Sequence, residues 1–164
     1  MELWDLYDKD KNLVGKTHER GTWIEDGFYH LVVHVWIKNK ENKFLISRRS
    51  PDRESYPLYW ECPGGSVLKG ETGFEGAIRE TKEEVGIDLA NIKGTIINNK
   101  LRESFHDIME AWLFNYDGEV DLLNATTKEV CELKWMSLAE IKELLDKGEF
   151  VPTLAYIIEI GDKL

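Results

Sequence analysis

Phe74, Ala77, Ile78 and Val85 are apolar residues spaced by three, four and seven in a stretch otherwise rich in Glu, Lys and Arg. That spacing puts them on one face of an α-helix, shared by Thr81, and Gly86 follows as a C-cap. Upstream the period shortens to that of strands. Residues 2 to 7 and 12 to 16 flank Asp8-Lys9-Asp10-Lys11-Asn12 and predict a short hairpin. Tyr29 to Lys38 and Lys43 to Arg49, joined by Asn39-Lys40-Glu41-Asn42, predict a second one. The polar stretch Ser50 to Tyr59, with Pro51 and Pro57, reads as a loop. Beyond the helix, Ile92 to Glu103 and Asp107 to Tyr116 read as strands, Asp117-Gly118 as a turn and Glu132 to Met136 as a further strand. Ser137 then caps a helix from Leu138 to Asp146, with Glu140 completing a capping box and Gly148 ending it. A last helix is expected from Pro152 to Ile160.

The polar side of the first helix carries the chemistry. Glu80, Glu83 and Glu84 stand at i, i+3 and i+4, so the pattern puts three carboxylates on one patch, opposite the apolar face. Their mutual repulsion is relieved by Arg or Lys, or by a divalent cation. Mg²⁺ and Mn²⁺ suit such oxygen ligands and are commonly shared between protein carboxylates and substrate phosphates. A solvated face with Arg79 pairing Glu83 would explain an isolated R-E-x-x-E-E. Gly64, Gly65, Glu71 and Gly86, all at set distances around it, favour the cation site. The paired glycines also permit a tight path and close approach of backbone to a ligand.

Length and charge narrow the partners. A chain of 164 residues with 42 % apolar content suits one compact domain over residues 1–164, with residues 1–28 as an N-terminal extension. The formal charge of -10 argues against binding a nucleic-acid polymer, while small anionic substrates stay accessible through bound metal. Cys62 and Cys131 make no disulfide framework. No apolar run reaches the roughly 18 residues of a membrane span, and the start MELWDLYDKDK lacks a signal-peptide core, so a cytoplasmic protein is expected. Homodimer formation stays open.

From Gly65 to Ile87 the sequence fits G-x5-E-x7-R-E-U-x-E-E-x-G-U at every fixed position, Thr81 being the one departure from a preferred aliphatic. This stretch resembles the Nudix box, and the chain resembles the Nudix hydrolase superfamily. The resemblance implies an α/β (α+β) fold, a Nudix α/β/α sandwich on a mixed β-sheet with the N-terminal hairpin as an extension. It implies a pyrophosphohydrolase acting on a nucleoside diphosphate linked to a group X, or on a related small diphosphate, with Mg²⁺ or Mn²⁺. Its metal ligands would be the Gly64 carbonyl, Glu80, Glu83 and Glu84. Glu83 or Glu129 would take the proton, Arg79 would hold Glu83, and Glu71 would brace the loop and the metal waters on the substrate side.

Residues outside the box complete the expectations. Arg48 and Arg49, at a strand end, are candidates to grip phosphate, with Arg53 behind them. Glu129 leads Glu132, Glu103 and Glu110 as an additional acidic residue. His30 and His34 share a strand face and are expected to be partly buried and hydrogen-bonded. The six Trp are expected mostly in the core or at its rim. Residues 2 to about 90 also resemble the isopentenyl-diphosphate-isomerase-like branch of the superfamily. In isomerases a catalytic Cys precedes Gly-His-Pro; here Cys62 precedes Pro63-Gly64-Gly65-Ser66, and Trp23 replaces one metal-binding His while His30 matches another. The intact R-E-x-x-E-E therefore favours hydrolysis over isomerisation, and over a non-catalytic nucleotide sensor.

Overall fold

A computed structural model describes residues 1–164. The chain opens with the hairpin β1 (Leu3–Tyr7) and β2 (Leu13–Glu19), which runs three residues further than the sequence pattern predicts. Its turn is built by Asp8, whose Oδ1 accepts from the amides of Asp10 and Asn12 at 2.9 Å each, with Lys11 in the left-handed region. Next come β3 (His30–Lys38), β4 (Phe44–Arg49), β5 (Trp60–Glu61) and β6 (Gly64–Ser66), then helix α1 (Gly73–Val85). The chain ends with β7 (Gly94–Arg102), β8 (Asp107–Asn115), β9 (Val130–Met136), α2 (Leu138–Asp146) and α3 (Tyr156–Ile160).

Strand β3 pairs parallel to β8 along its whole length, while β7 pairs antiparallel to β8, so the sheet is mixed. Its side chains alternate between two cores. Leu31, Val33, Val35 and Ile37 pack with Ala77 and Val85 of α1, whereas Trp36 joins Ile141 of α2 and Ile157 of α3 on the opposite face. The result is the expected α/β/α sandwich. Burying the fully enclosed Trp36, Phe44, Phe114 and Phe150 contributes on the order of 2–3 kcal/mol each by apolar transfer.

The hairpin β3–β4 is only joined at its turn end. One register pair, Lys38 with Phe44, links the two strands before they splay. Strand β4 goes on to pair with β9 and β5, and the exposed part of β3 is taken by β6, with Gly64 opposite His34 and Gly65 opposite Val33. The splay thus leaves room for Trp60–Ser66 to thread between β3 and β4. Here glycine is required: a Cβ at Gly64 would overlap the Val33 carbonyl oxygen.

Helix α1 begins at Thr72, whose side chain accepts from the Glu75 amide at 3.2 Å in a capping box, and ends at Gly86, left-handed with φ 74°. Thr81 is fully buried, yet its hydroxyl donates to the Ala77 carbonyl at 2.8 Å, which is why a polar residue is accommodated at an aliphatic position. Two expectations need correction. The last helix is not continuous from Pro152. Leu154 and Ala155 donate back three residues, to Val151 and Pro152, so Pro152–Leu154 is a 3₁₀ turn and only Tyr156–Ile160 is α-helical. His30 is buried, but its Nδ1 has no hydrogen-bond partner; the ring stacks on Trp4 at 4.0 Å, and burial lowers its pKa to about 4. Most Trp do line the cores, though Trp23 is 72 % exposed. No helix is long and apolar enough to cross a membrane.

The two devices predict different costs. Ser137→Ala removes the α2 capping box and should cost about 1 kcal/mol, a fall of a few °C in Tm. Gly64→Ala forces the sheet apart at β6 and should cost at least as much, roughly 1–3 kcal/mol, with loss of the site beside it. Thermal unfolding of the two variants checks the order; a Gly64→Ala protein as stable as wild type would mean that the close approach is not needed.

Candidate functional site

Gly65 leaves a gap at the edge of β6, and Glu80 fills it. A Cβ on Gly65 would fall 2.5 Å from Glu80 Oε1 and 2.6 Å from its carboxyl carbon, so the carboxylate lies directly on the strand backbone. One turn further along α1, Glu84 is buried to 6 % exposure. The sequence pattern put these groups on a polar face opposite the core. The helix instead has three sides: an apolar one on the sheet, a solvated one, and a carboxylate side pressed against the glycine strand. Only a partner from another element, lacking side chains, makes that third side.

Burial raises the affinity of both groups for protons. Glu80 is pushed up to about 7 despite the opposing charge of Arg79. Glu84 rises well above the ordinary carboxylate range, first from burial and then from the like charges of Glu80, Glu61 and Glu129. The Glu80 and Glu84 carboxyl groups lie within hydrogen-bonding reach of each other. Glu61, on β5, is the member that the sequence pattern missed. It alternates with Trp60 and Cys62, which face the α2–α3 core, and period-two alternation is the signal that assigns it to the other side. Burial raises its pKa too, against the Arg49 guanidinium 2.8 Å away.

Arg79 organises the outer side. Its guanidinium grips Glu71 twice, at 2.8 and 3.0 Å, and reaches Glu80 at 3.1 Å, Glu83 at 3.2 Å and the Ser66 carbonyl at 3.0 Å. Glu71 Oε1 also accepts from the Leu68 amide at 2.8 Å. Both of its oxygens are thereby engaged in bracing the loop ahead of α1. Glu83 is more open than Glu80, with its side chain 39 % exposed beside Arg79.

The α1 C-terminus positions Glu129. The Glu83 carbonyl accepts from the Thr126 and Thr127 amides at 2.9 and 3.1 Å, satisfying a group that a helix end leaves without an intrahelical partner. A Cβ on Gly86 would strike Asn124, so the loop seats directly on the helix end. Two residues on, Ser50 donates from its amide to the Glu129 carbonyl and from its hydroxyl to that of Lys128. Glu129 itself meets Arg53 at 3.0 Å. Arg20, Arg49, Arg53 and Lys128 line a cleft of about 690 Å³ together with Asp52, Glu54 and Glu129, so charges of both signs meet there. Arg20 was not anticipated, because it belongs to the β2 end of the hairpin.

Other candidates lie elsewhere. Arg48 turns away from the cluster, donating to the Leu58 carbonyl at 3.0 Å and to Glu132 at 3.4 Å over the Trp60 ring. Glu110 is buried beneath the α1 N-terminus, paired with Lys11 and bonded by Trp112 Nε1 at 3.1 Å. Glu103 accepts from the Tyr29 hydroxyl at 2.7 Å. His34 pairs its Nδ1 with the Tyr156 hydroxyl at 2.8 Å, and burial lowers its pKa to about 3. The acidic residues that feel one another's charge are Glu80, Glu84, Glu61 and Glu129, although no three Asp, Glu, His or Cys side chains lie close enough together to enclose an ion by themselves. All are hard oxygen donors, which fits Mg²⁺ or Mn²⁺ rather than a metal favouring nitrogen and sulfur.

Comparison with known proteins gives the family and the fold. A Nudix hydrolase of Listeria innocua is 39 % identical over 155 residues, covering 93 % of this chain and 89 % of its own. An isopentenyl-diphosphate Delta-isomerase of Citrobacter koseri is 22 % identical, over 96 % of this chain and 89 % of its own, so the isomerase likeness is real but weaker. In fold, a Deinococcus radiodurans crystal structure superposes with a TM-score of 0.77, at 19 % identity, over 99 % of this chain and 98 % of that one. The NUDIX domain family model matches residues 28–155, and with it the carboxylate helix, the glycine strand and the bracing arginine identify the chain as a member of the Nudix hydrolase family.

Proposed function

We propose that the chain is one catalytic unit, a pyrophosphohydrolase that cleaves a nucleoside diphosphate linked to a group X, or a related small diphosphate. The observation that carries this reading is the neighbouring Glu80 and Glu84, Glu84 buried and Glu80 set against the Gly65 backbone, with Glu129, whose charge Glu84 feels, lining a cleft alongside Arg49, Arg53 and Lys128. Glu80, Glu83, Glu84 and the Gly64 carbonyl would hold the divalent cation, Mg²⁺ or Mn²⁺. When bound, that ion supplies charge neutralisation for the phosphates and acidifies water.

The remaining work falls to the chain. Arg49 and Arg53 orient phosphate oxygens by charge-assisted hydrogen bonds, exchanging their contacts with Glu61 and Glu129 for the substrate. Arg79, fastened to Glu71 and the Ser66 carbonyl, keeps Glu80 and Glu83 in place. Glu129, released from Arg53, takes the proton from the attacking water. Phosphoryl transfer needs positioning and charge stabilisation, so no nucleophilic Ser or Cys takes part.

Two substitutions separate holding from proton transfer. Glu84→Gln should lower activity by on the order of 10²-fold or more and weaken Mg²⁺ binding. Glu129→Gln should lower kcat by roughly 10²- to 10⁴-fold while Mg²⁺ binding measured by calorimetry stays near wild type. Equal metal affinity in the Glu84→Gln protein would remove Glu84 from the ligand set; full activity in Glu129→Gln would remove Glu129 as the base.

Cys62 distinguishes hydrolysis from isomerisation. It is 3 % exposed, and burial pushes its thiol well above the usual range, so it stays protonated in the core. Cys62→Ala should therefore keep most turnover. In ¹⁸O-labelled water the label should enter a phosphate product. A rearranged, unlabelled diphosphate, abolished by Cys62→Ala, would instead identify an isomerase.

A further inference from the structure

The cleft beside Glu129 shares Arg49 and Arg53 with a smaller recess of about 200 Å³ over Gly64 and Gly65. His34 lines that recess and has no part in the chemistry described so far. It lies on β3 opposite Gly64, on the strand face that also carries Trp36. Alternation therefore turns it toward α3, whose first residue, Tyr156, meets its Nδ1 at 2.8 Å. The segment that presents Tyr156 is pinned in place. Val151 donates from its amide to the Trp60 carbonyl at 2.9 Å, and Tyr156 packs edge-on against the fully buried Trp36 with ring planes 87° apart.

The hydrogen bonds around Tyr156 assign the proton of His34. Trp36 Nε1 can only donate, and it does so to the Tyr156 oxygen at 2.9 Å. The other hydrogen-bond partner of that hydroxyl is His34 Nδ1, so the phenol proton goes there and Nδ1 accepts. An imidazole that accepts at Nδ1 carries its own proton on Nε2. No protein group accepts from Nε2, yet it is not sealed in the core, because the enclosed side-chain polar atoms without a partner are His30 Nδ1 and His106 Nδ1. The arginines on the same recess are already engaged, Arg49 with Glu61 at 2.8 Å and Arg53 with Glu129 at 3.0 Å. Unlike either of them, His34 offers an incoming acceptor its proton without first giving up a carboxylate.

The recess itself says what that acceptor is. Two guanidinium groups on its walls call for an anion, and its volume is that of about seven waters, room for a phosphoryl group and little more. An ionised phosphoryl oxygen only accepts, which complements an Nε2–H that only donates. We propose that His34 Nε2–H donates to a phosphoryl oxygen of the substrate in this recess, and that Tyr156 and Trp36 are positioning residues that act through His34. The opposite tautomer would present a lone pair to the phosphate and repel it, so the hydrogen-bond relay sets the sign of the contact. The inference rests on the diphosphate reading of the carboxylate cluster and adds to it a donor that needs no counter-charge.

The test joins a spectrum to a binding series. In wild-type protein labelled with ¹⁵N on histidine, His34 should show a protonated Nε2 and a bare Nδ1 at neutral pH. Adding methylenediphosphonate, a diphosphate whose bridge cannot be hydrolysed, to the Mg²⁺-loaded protein should shift the Nε2–H resonance. His34→Ala should weaken methylenediphosphonate binding by roughly 10- to 150-fold, the range of a hydrogen bond to a charged group. KM for a diphosphate substrate should rise by a similar factor with a smaller change in kcat. His34→Gln, which keeps an N–H donor, should recover most of the loss. Tyr156→Phe should let the proton spread over both ring nitrogens and lose a smaller factor. Mg²⁺ affinity should stay near wild type in all three; a loss shared by Mg²⁺ would mean a structural role and overturn the proposal. Should His34→Ala prove unstable, the wild-type spectrum decides alone. A proton on Nδ1, an Nε2–H indifferent to the analogue, or unchanged analogue binding in His34→Ala would each overturn it. Diphosphate hydrolysis persisting beside any of those results leaves the hydrolase reading standing; a protein that hydrolyses no diphosphate overturns that reading, and this inference with it.

Discussion

Two neighbouring carboxylates on α1, Glu84 buried and Glu80 set against a glycine strand, are the constraint around which this chain is organised. Glu80 and Glu84 lie one turn apart on α1; Glu84 is buried and the Glu80 side chain is half-buried. Burying an ionised carboxylate is costly unless it is paired and hydrogen-bonded. Arg79 supplies part of the counter-charge to Glu80, but it also serves Glu71 and Glu83. Glu84 receives no ion pair from any Lys, Arg or His of the chain. Such an arrangement is expensive for a fold and useful for holding a cation, and perturbed carboxylates in a cleft mark functional sites.

The surrounding architecture follows from keeping that pair in position. Strands β3 and β4 separate after one register pair, which admits the Trp60–Ser66 segment and its two glycines. Residues Thr126 and Thr127 dock on the last turn of α1 and carry Glu129 toward the cleft. The N-terminal hairpin ties down the approach to the helix. Leu3 accepts from the Lys69 amide, Asp5 from the Gly70 amide at 2.8 Å, and Lys11 pairs with Glu110 beneath Gly73. Each contact spends side-chain freedom on geometry rather than on stability alone, as a site that must align phosphate and water requires.

Local signals in the sequence carry the elements well. The helix period from Phe74 to Val85, the Gly86 cap and the Ser137–Glu140 box all predict what forms, and the Nudix-box resemblance gives the family and its sandwich. What the chain does not reveal locally is contact between distant segments. Periodicity sets Glu80 opposite the apolar stripe, and only the nearness of Gly65 explains why it is enclosed there. Glu61 reads as one acidic residue in a short strand until β5 brings it beside Arg49. Arg48 and Arg49 look equivalent, yet successive strand residues point to opposite faces, so only Arg49 reaches the cluster. The parallel pairing of β3 with β8 joins segments far apart along the chain, which no local pattern encodes.

The central claim is that Glu80 and Glu84 form a divalent-cation site that trades protons for metal. Between the ordinary carboxylate pKa and the raised folded value of about 7 for Glu80, the folded metal-free protein binds more protons than the unfolded chain. Metal must displace them. Calorimetric titration of Mg²⁺ into the metal-free protein at about pH 6.5, in two buffers of different ionisation heat, counts the protons released on binding. The account predicts release on the order of one proton per ion, with affinity falling as the pH is lowered. Metal binding without proton release, at an affinity indifferent to pH, would contradict it.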